Sequence, residues 1–364
     1  MQRGKFNIII GAQAGSEAKG KFSAFLCSQS PPDALVMASS PNAGHTAYLP
    51  NGEKRVSYHL PIGAVACNAP IYLGPASLIN PKTFAQEIVD LGIDPRRIHI
   101  DPRASIITEG YIWCEASGGL SDIGSTLQGV GETRCRKMRR EVGHPLVIDC
   151  IEPFLADVGN VTVQPTSFEI NSLMDEGATV LCEMTQGFDL DLEHGIDPRY
   201  CTSKMINPAM AMAEAGVSPK RVGTVYGVLR PYPIRVNNRT GTSGPYGHSA
   251  ELRWREVAER CGHPNPDELM EITTTTKLPR RVFEFCHHRL SHFIQVCQPD
   301  VLCLQFANYI DWDVYGVESM SGLTPRVVDW IHRLVHRYNV PVKYVGTGPE
   351  YDAMVMHPGG GDLW

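Results

Sequence analysis

Apolar residues fall into two patterns along the chain. Short runs rich in aliphatic and β-branched residues recur at Phe6-Asn7-Ile8-Ile9-Ile10, Ala34-Leu35-Val36-Met37-Ala38, Ala178–Glu183, Val222–Leu229 and Val301–Asn308. Runs of this length and kind predict buried strands. Between them lie stretches with helical spacing. Phe22, Phe25 and Leu26 predict a helix directly after the first strand. Asn80–Leu91 predicts an amphipathic helix opening at Pro81, and Thr324–Tyr338 predicts a late one. The basic run Arg134, Arg136, Lys137, Arg139, Arg140 and the stretch around His287-His288 also read as helices. Ile123–Gly131 is a glycine-rich loop, and Pro231–His248, rich in Pro, Gly, Asn and Ser, reads as a long one. Strands followed by helices predict an α/β fold.

Composition narrows the class without naming it. The 364 residues are 43% hydrophobic and 20% charged, with a net charge of −6. That length suits one α/β unit, so residues 1–364 are expected to form a single domain. The acidic balance argues against general nucleic-acid binding. No apolar run is long enough to cross a bilayer and no signal peptide is seen, so no membrane partner is expected. The 11 cysteines are scattered, with no C-x-x-C pair, which fits reduced thiols in a cytoplasmic protein.

The first candidate site follows the first strand: Gly11-Ala12-Gln13-Ala14-Gly15-Ser16-Glu17-Ala18-Lys19-Gly20-Lys21. A strand, a small-residue turn and a helix N-terminus form a phosphate cradle, because free backbone N–H groups and the helix dipole face the anion. From Gly15 the spacing is that of a P-loop, although Phe22 stands where a P-loop has Ser or Thr. The second is Pro41-Asn42-Ala43-Gly44-His45-Thr46, expected on a loop after the second strand. Strand ends of this kind gather active-site residues.

Together these stretches resemble the adenylosuccinate synthetase family, whose motifs are G-x-Q-W-G-D-E-G-K-G-K and N-A-G-H-T. The resemblance implies a P-loop-like fold with a large, mostly parallel central sheet flanked by helices. It implies a homodimer that binds Mg2+ and forms a C–N bond. By the same resemblance, Ser16, Glu17, Ala18, Lys19, Gly20, Lys21, Gly44, His45 and Thr46 meet the phosphoryl donor, together with Gln305, Asn308, Gly346, Thr347 and Gly348. Ser16 and Gly44 stand at the family's metal positions. Ser16, Asn42, Ala43, Thr126, Arg140, Gln186, Thr202 and Leu278 stand where the acceptor nucleotide binds, with Arg140 reaching across the dimer. Val236, Thr274, Thr275, Thr276 and Arg280 match the aspartate-binding segments. The acidic residues Asp189, Asp191 and Glu193 read as structural.

Three departures set the expected substrate. Ser16 replaces the family's catalytic aspartate. Leu278 replaces an arginine that reaches the ribose 2′-hydroxyl, and a buried hydroxyl without a partner costs roughly 1–3 kcal/mol, which favours a 2′-deoxy substrate. Asn308 replaces the aspartate that grips a guanine base, and an amide suits adenine better. The pattern resembles the phage branch of the family, which makes 2-aminoadenine nucleotides. The expectation is a ligase that joins L-aspartate to dGMP, with ATP or dATP as phosphoryl donor. Ser16, His45, Gln186 and Lys19 would carry the chemistry, with Ser16 making room for the C2 amine. Ordinary synthesis from IMP and GTP is the alternative within the family. A non-catalytic purine sensor is the alternative outside it.

Overall fold

The computed structural model describes residues 1–37, 40–118, 120–238, 242–273 and 277–357. Ten strands form the central sheet: β1 Phe6–Gly11, β2 Ala34–Met37, β3 Ile71–Leu73, β4 Ile98–Ile100, β5 Thr162–Val163, β6 Val180–Gly187, β7 Val222–Leu229, β8 Val301–Leu304, β9 Val342–Gly346 and β10 Met354–Met356. Their order is β10-β9-β8-β7-β1-β6-β2-β3-β4-β5. All neighbours are parallel except β9 and β10. β1 lies between two strands from much later in the chain, β6 and β7. The connections diverge there, and that is where an open α/β sheet leaves a crevice at its carboxyl edge.

Alternation along β1 explains the two layers of helices. Ile8 and Ile10 face a core shared with α6 (Thr166–Asp175), α7 (Pro208–Ala215), α9 (His287–Cys297) and α10 (Pro325–Tyr338). Ile9 faces the opposite core, shared with α1 (Lys19–Gln29), α2 (Pro81–Leu91) and α5 (Ile151–Val158). A strand buried on both faces needs apolar residues at successive positions, as β1 has. α2 opens as its sequence predicts: Asn80 accepts from the Thr83 amide at 3.2 Å, Pro81 fills the first turn, and Gly92 ends the helix at φ 66°.

Two smaller units flank this body. A three-stranded antiparallel sheet (234–235, 281–283, 251–252) packs with α8 (Trp254–Cys261) around Ile234, Val257 and Val282. Part of the expected 231–248 loop therefore enters a strand. A hairpin pairs His45–Tyr48 with Lys54–Ser57. His45 and Thr46 thus open a strand rather than lying on a loop; the apolar alternation there is too short to announce it. Among the described residues no helix is long and apolar enough to cross a membrane. All eleven cysteines are free thiols.

Candidate active site

The turn between β1 and α1 is shaped from within by Glu17. Its side chain is fully buried and accepts from the Gly15 amide at 2.7 Å and the Gln13 amide at 3.2 Å. Its other oxygen meets Lys19 Nζ at 2.8 Å. Glu17 was expected against the donor; its carboxylate is instead turned inward and fixes the loop. The backbone adopts left-handed conformations at Ser16 (φ 58°) and Ala18 (φ 64°). At Ala18, where the related motif carries glycine, a Cβ in that region costs about 1–2 kcal/mol. Packing around the loop is close. A Cβ on Gly187, at the end of β6, would lie 2.2 Å from the Gln13 carbonyl and 2.5 Å from Glu17 Oε1.

A cavity of about 280 Å³ opens beside this turn. Its walls bring together Ser16, Ala18, Lys19, Gly20, Lys21, Ala43, Gly44, His45, Thr46, Gln186, Val236, Gln305 and Gly348, all of them expected. Sequence reading did not assign a role to Tyr48, Leu190, Glu271 or Phe306, which line it as well.

His45 is buried, and its Nδ1 bonds Glu183, a fully buried carboxylate on β6. A carboxylate only accepts, so Nδ1 donates to it. Glu183 had been read only as part of a buried strand. The signal was its place three residues before Gln186, at the carboxyl end of that strand.

Position 16 is held from both sides. The Arg280 guanidinium donates to Ser16 Oγ, and Arg230 NH1 donates to the Ser16 carbonyl at 3.1 Å. Glu271 links the two arginines. It accepts from both terminal nitrogens of Arg230 and lies 3.6 Å from Arg280 Nε. Tyr309 donates to Glu271 Oε1 at 3.2 Å, and the Phe306 ring lies 4.0 Å from the Arg230 guanidinium. Burial opposes the Glu271 charge, but Arg230 and Arg280 outweigh it and hold the carboxyl below its usual range. Burial, with repulsion from Arg230, holds the Arg280 pKa below its usual value despite Glu271. Ser16 Oγ, expected at a metal position, accepts the Arg280 guanidinium here.

Lys21, on the cavity wall, is largely buried, and its ammonium donates to the carbonyls of Gly348 and Ala353, the latter at 2.8 Å. Burial pulls its pKa down to about 7, against Glu350 and Asp352. It braces the end of β9 and the loop that follows, which carry Gly346, Thr347 and Gly348. Other expected residues lie outside the cavity wall. Asn308 is buried in the short 307–309 turn, behind Gln305 and Phe306. Asn42 Nδ2 donates to Thr202 Oγ1 at 3.3 Å, which joins two of the expected nucleotide contacts. Thr126 is half-buried in the loop before α4 (Val130–Arg139). Arg140 is exposed at the far end of α4, at φ 56°. Leu278 is half-buried, with its amide on Thr273 Oγ1 at 3.0 Å. Thr274, Thr275 and Thr276 lie outside the described residues. The acidic trio includes two structural members. Asp189 accepts from Tyr246 and from Arg289 at 2.7 Å, and Asp191 accepts the amides of Glu193 and His194 at 2.8 Å.

The model of the family described as adenylosuccinate synthetase matches residues 8–153 and 147–311. The chain belongs to the adenylosuccinate synthetase family. An adenylosuccinate synthetase of Pyrococcus sp. (strain ST700) is 30% identical over 354 residues, covering 96% of this chain and 97% of the relative. The N6-succino-2-amino-2′-deoxyadenylate synthase of cyanophage S-2L is 32% identical over 358 residues, covering 94% and 90%. The succinoaminodeoxyadenylate synthetase of cyanophage S-2L, solved with dGMP and with dATP as an energy donor, superposes with a TM-score of 0.82 at 30% identity over 98% of this chain and 96% of that one. The Plasmodium falciparum adenylosuccinate synthetase shares the fold, with a TM-score of 0.80 at 20% identity over 96% and 99%. The expected adenylosuccinate synthetase fold, with its large and mostly parallel sheet, is the one observed.

Proposed function

We propose that the chain is a ligase that condenses L-aspartate with dGMP to give N6-succino-2-amino-2′-deoxyadenylate, with ATP or dATP as phosphoryl donor. Overall identity does not choose between the two branches, since the archaeal and phage relatives match equally well. The observation that carries the choice is Ser16: a neutral hydroxyl lines the cavity where a carboxylate is the family pattern. A serine leaves space for the C2 amine of guanine and offers it an acceptor. The printed name of the cyanophage relative, and the nucleotides in its structure, agree with this reading.

The donor's γ-phosphoryl group passes to O6 of the purine, and the aspartate amine then displaces phosphate at C6. Phosphorylation turns a poor leaving group into a good one. His45, oriented by Glu183, contacts the moving phosphoryl group, and Lys19 and the turn amides stabilise its charge. Gln186, at φ 68° on the cavity wall, addresses the six-position of the base. The threonines at 202 and 126 hold the 5′-phosphate, Leu278 suits a deoxyribose, and Val236 with the 274–276 segment receives aspartate.

The family implies Mg2+. Among the described residues no three His, Cys, Asp or Glu side chains gather as a metal site, and the Glu17 carboxylate is committed to its own loop. Gly44, exposed on the cavity wall, would offer its carbonyl as one hard oxygen. One such oxygen suits Mg2+ that arrives with the donor's phosphates. When bound, the ion neutralises charge on those phosphates.

A homodimer fits the surface. Trp113, Met138, Val142 and Ile148 are exposed on α3 (Glu109–Ser117), α4 and the segments that follow α4, close in sequence to Arg140. Light scattering should give twice the 40.1 kDa chain mass. A cytoplasmic location goes with this activity. The reaction is tested by supplying Mg2+ and aspartate and crossing dGMP, GMP or IMP with ATP, dATP or GTP. Phosphate release and a succinylated product by mass spectrometry are expected with dGMP and an adenine donor. Turnover only with IMP and GTP would contradict the proposal.

A further inference from the structure

The reaction needs the N1 proton of guanine to leave, and position 16 offers no carboxylate to take it. Glu271 is the one carboxylate lining the cavity among the described residues, and it is already engaged by Arg230, Arg280 and Tyr309. Its bonded oxygens are those of an ion-pair anchor rather than a free base. The surrounding charges do not cancel. Arg230 and Arg280 are two cations against the single anion Glu271. Of the other groups near the cavity, Glu17 pairs with Lys19, Glu183 bonds the buried His45, and Lys21 faces the carbonyls of Gly348 and Ala353 beside Glu350 and Asp352. Tyr309 stays a neutral phenol, because burial pushes its pKa well up. Within the cluster at position 16 one positive charge is left over, and the Arg280 guanidinium reaches Ser16 Oγ.

Resting on the dGMP reading above, we propose that the uncompensated Arg280 charge beside Ser16 draws dGMP into the site as its N1-deprotonated anion, so that no side chain has to serve as the base. The N1–H bond breaks, and its electron pair stays on the ring and spreads onto O6. The proton bonds to water or a buffer base in the open mouth of the cavity. The resulting O6 anion is a better nucleophile toward the γ-phosphoryl group. The usual aspartate at position 16 would cancel the same charge, so serine and the arginine work as one device.

A cation within about 4–6 Å of an ionising group favours its anionic form by about 1–3 pH units. Guanine absorbs differently once N1 is ionised, so the bound state can be read in wild-type protein without turnover. Ultraviolet difference spectra of the protein–dGMP complex, titrated from pH 6 to pH 10, should show ionisation about 1–3 pH units below that of free dGMP. Arg280→Gln should return the transition toward the free value, while Arg280→Lys should keep part of the shift. A wild-type complex that ionises with free dGMP overturns the inference while leaving the substrate assignment intact. Failure to bind dGMP at any pH overturns the assignment and the inference with it.

Discussion

Glu183→Gln removes one charge and almost no volume from the site. Glu183 is fully buried and His45 is 5% exposed, so water cannot replace what the pair loses. The carboxylate bonds His45 Nδ1, and its second oxygen lies 3.5 Å from the Gly63 amide. A glutamine fits the same space, but it no longer holds the imidazole by a charge-assisted bond, and its amide can also donate. Hydrogen bonds to charged groups contribute about 1.5–3 kcal/mol. At about 1.4 kcal/mol per tenfold in rate, kcat should fall about 10–150-fold. The KM for dGMP should stay within about threefold, because His45 addresses the moving phosphoryl group rather than the ground-state base. Steady-state phosphate release with saturating donor and aspartate measures both constants. A variant with kcat within about threefold of wild type would refute the claim that Glu183 orients the histidine.

Other sites give separate outcomes. Asp189→Ala leaves Arg289 buried without its carboxylate, and breaking a buried pair costs about 3–5 kcal/mol, which urea unfolding should report. Gly187→Ala drives a methyl into the Gln13 carbonyl, so the variant should fold with weakened donor binding, measured by nucleotide titration calorimetry. Lys21 has a folded pKa of about 7 against an ordinary value of 10.5, so folding releases a proton between those pH values. Its contribution is least favourable below pH 7 and improves as pH rises toward 10.5. The stability of wild type relative to Lys21→Met should therefore increase from pH 6 to pH 9 by thermal melting; a flat difference would contradict the burial of a charged lysine there.

What could be read from the sequence was local. The β1–α1 turn and the α2 cap announce themselves within a dozen residues and stand where expected; the Asn42–Thr46 segment is equally visible, although its last two residues open a strand. Partnerships across the chain were not legible. His45 and Glu183 are 138 residues apart, Ser16 and Arg280 are 264 apart, and only the sheet order brings them together. Residue type also does not tell how a side chain is used. Glu17, Lys21 and Asn308 carry polar side chains in motifs that resemble donor-binding segments; Glu17 holds loop amides and Lys19, Lys21 donates to carbonyls from the cavity wall, and Asn308 is buried in the 307–309 turn. Glu271 sits at the start of a run singled out for its hydroxyls and arginines. Its role emerges only from the two guanidiniums folded onto it.

The central claim is that a hydroxyl at position 16 selects an amino-bearing purine. Measuring kcat/KM for dGMP and for IMP with wild type and with Ser16→Asp tests it most directly. A carboxylate restored there fills the space for the C2 amine and pairs with Arg280. The dGMP-to-IMP ratio should fall at least about fivefold, the low end of a mismatched buried polar contact. An unchanged ratio would contradict the account.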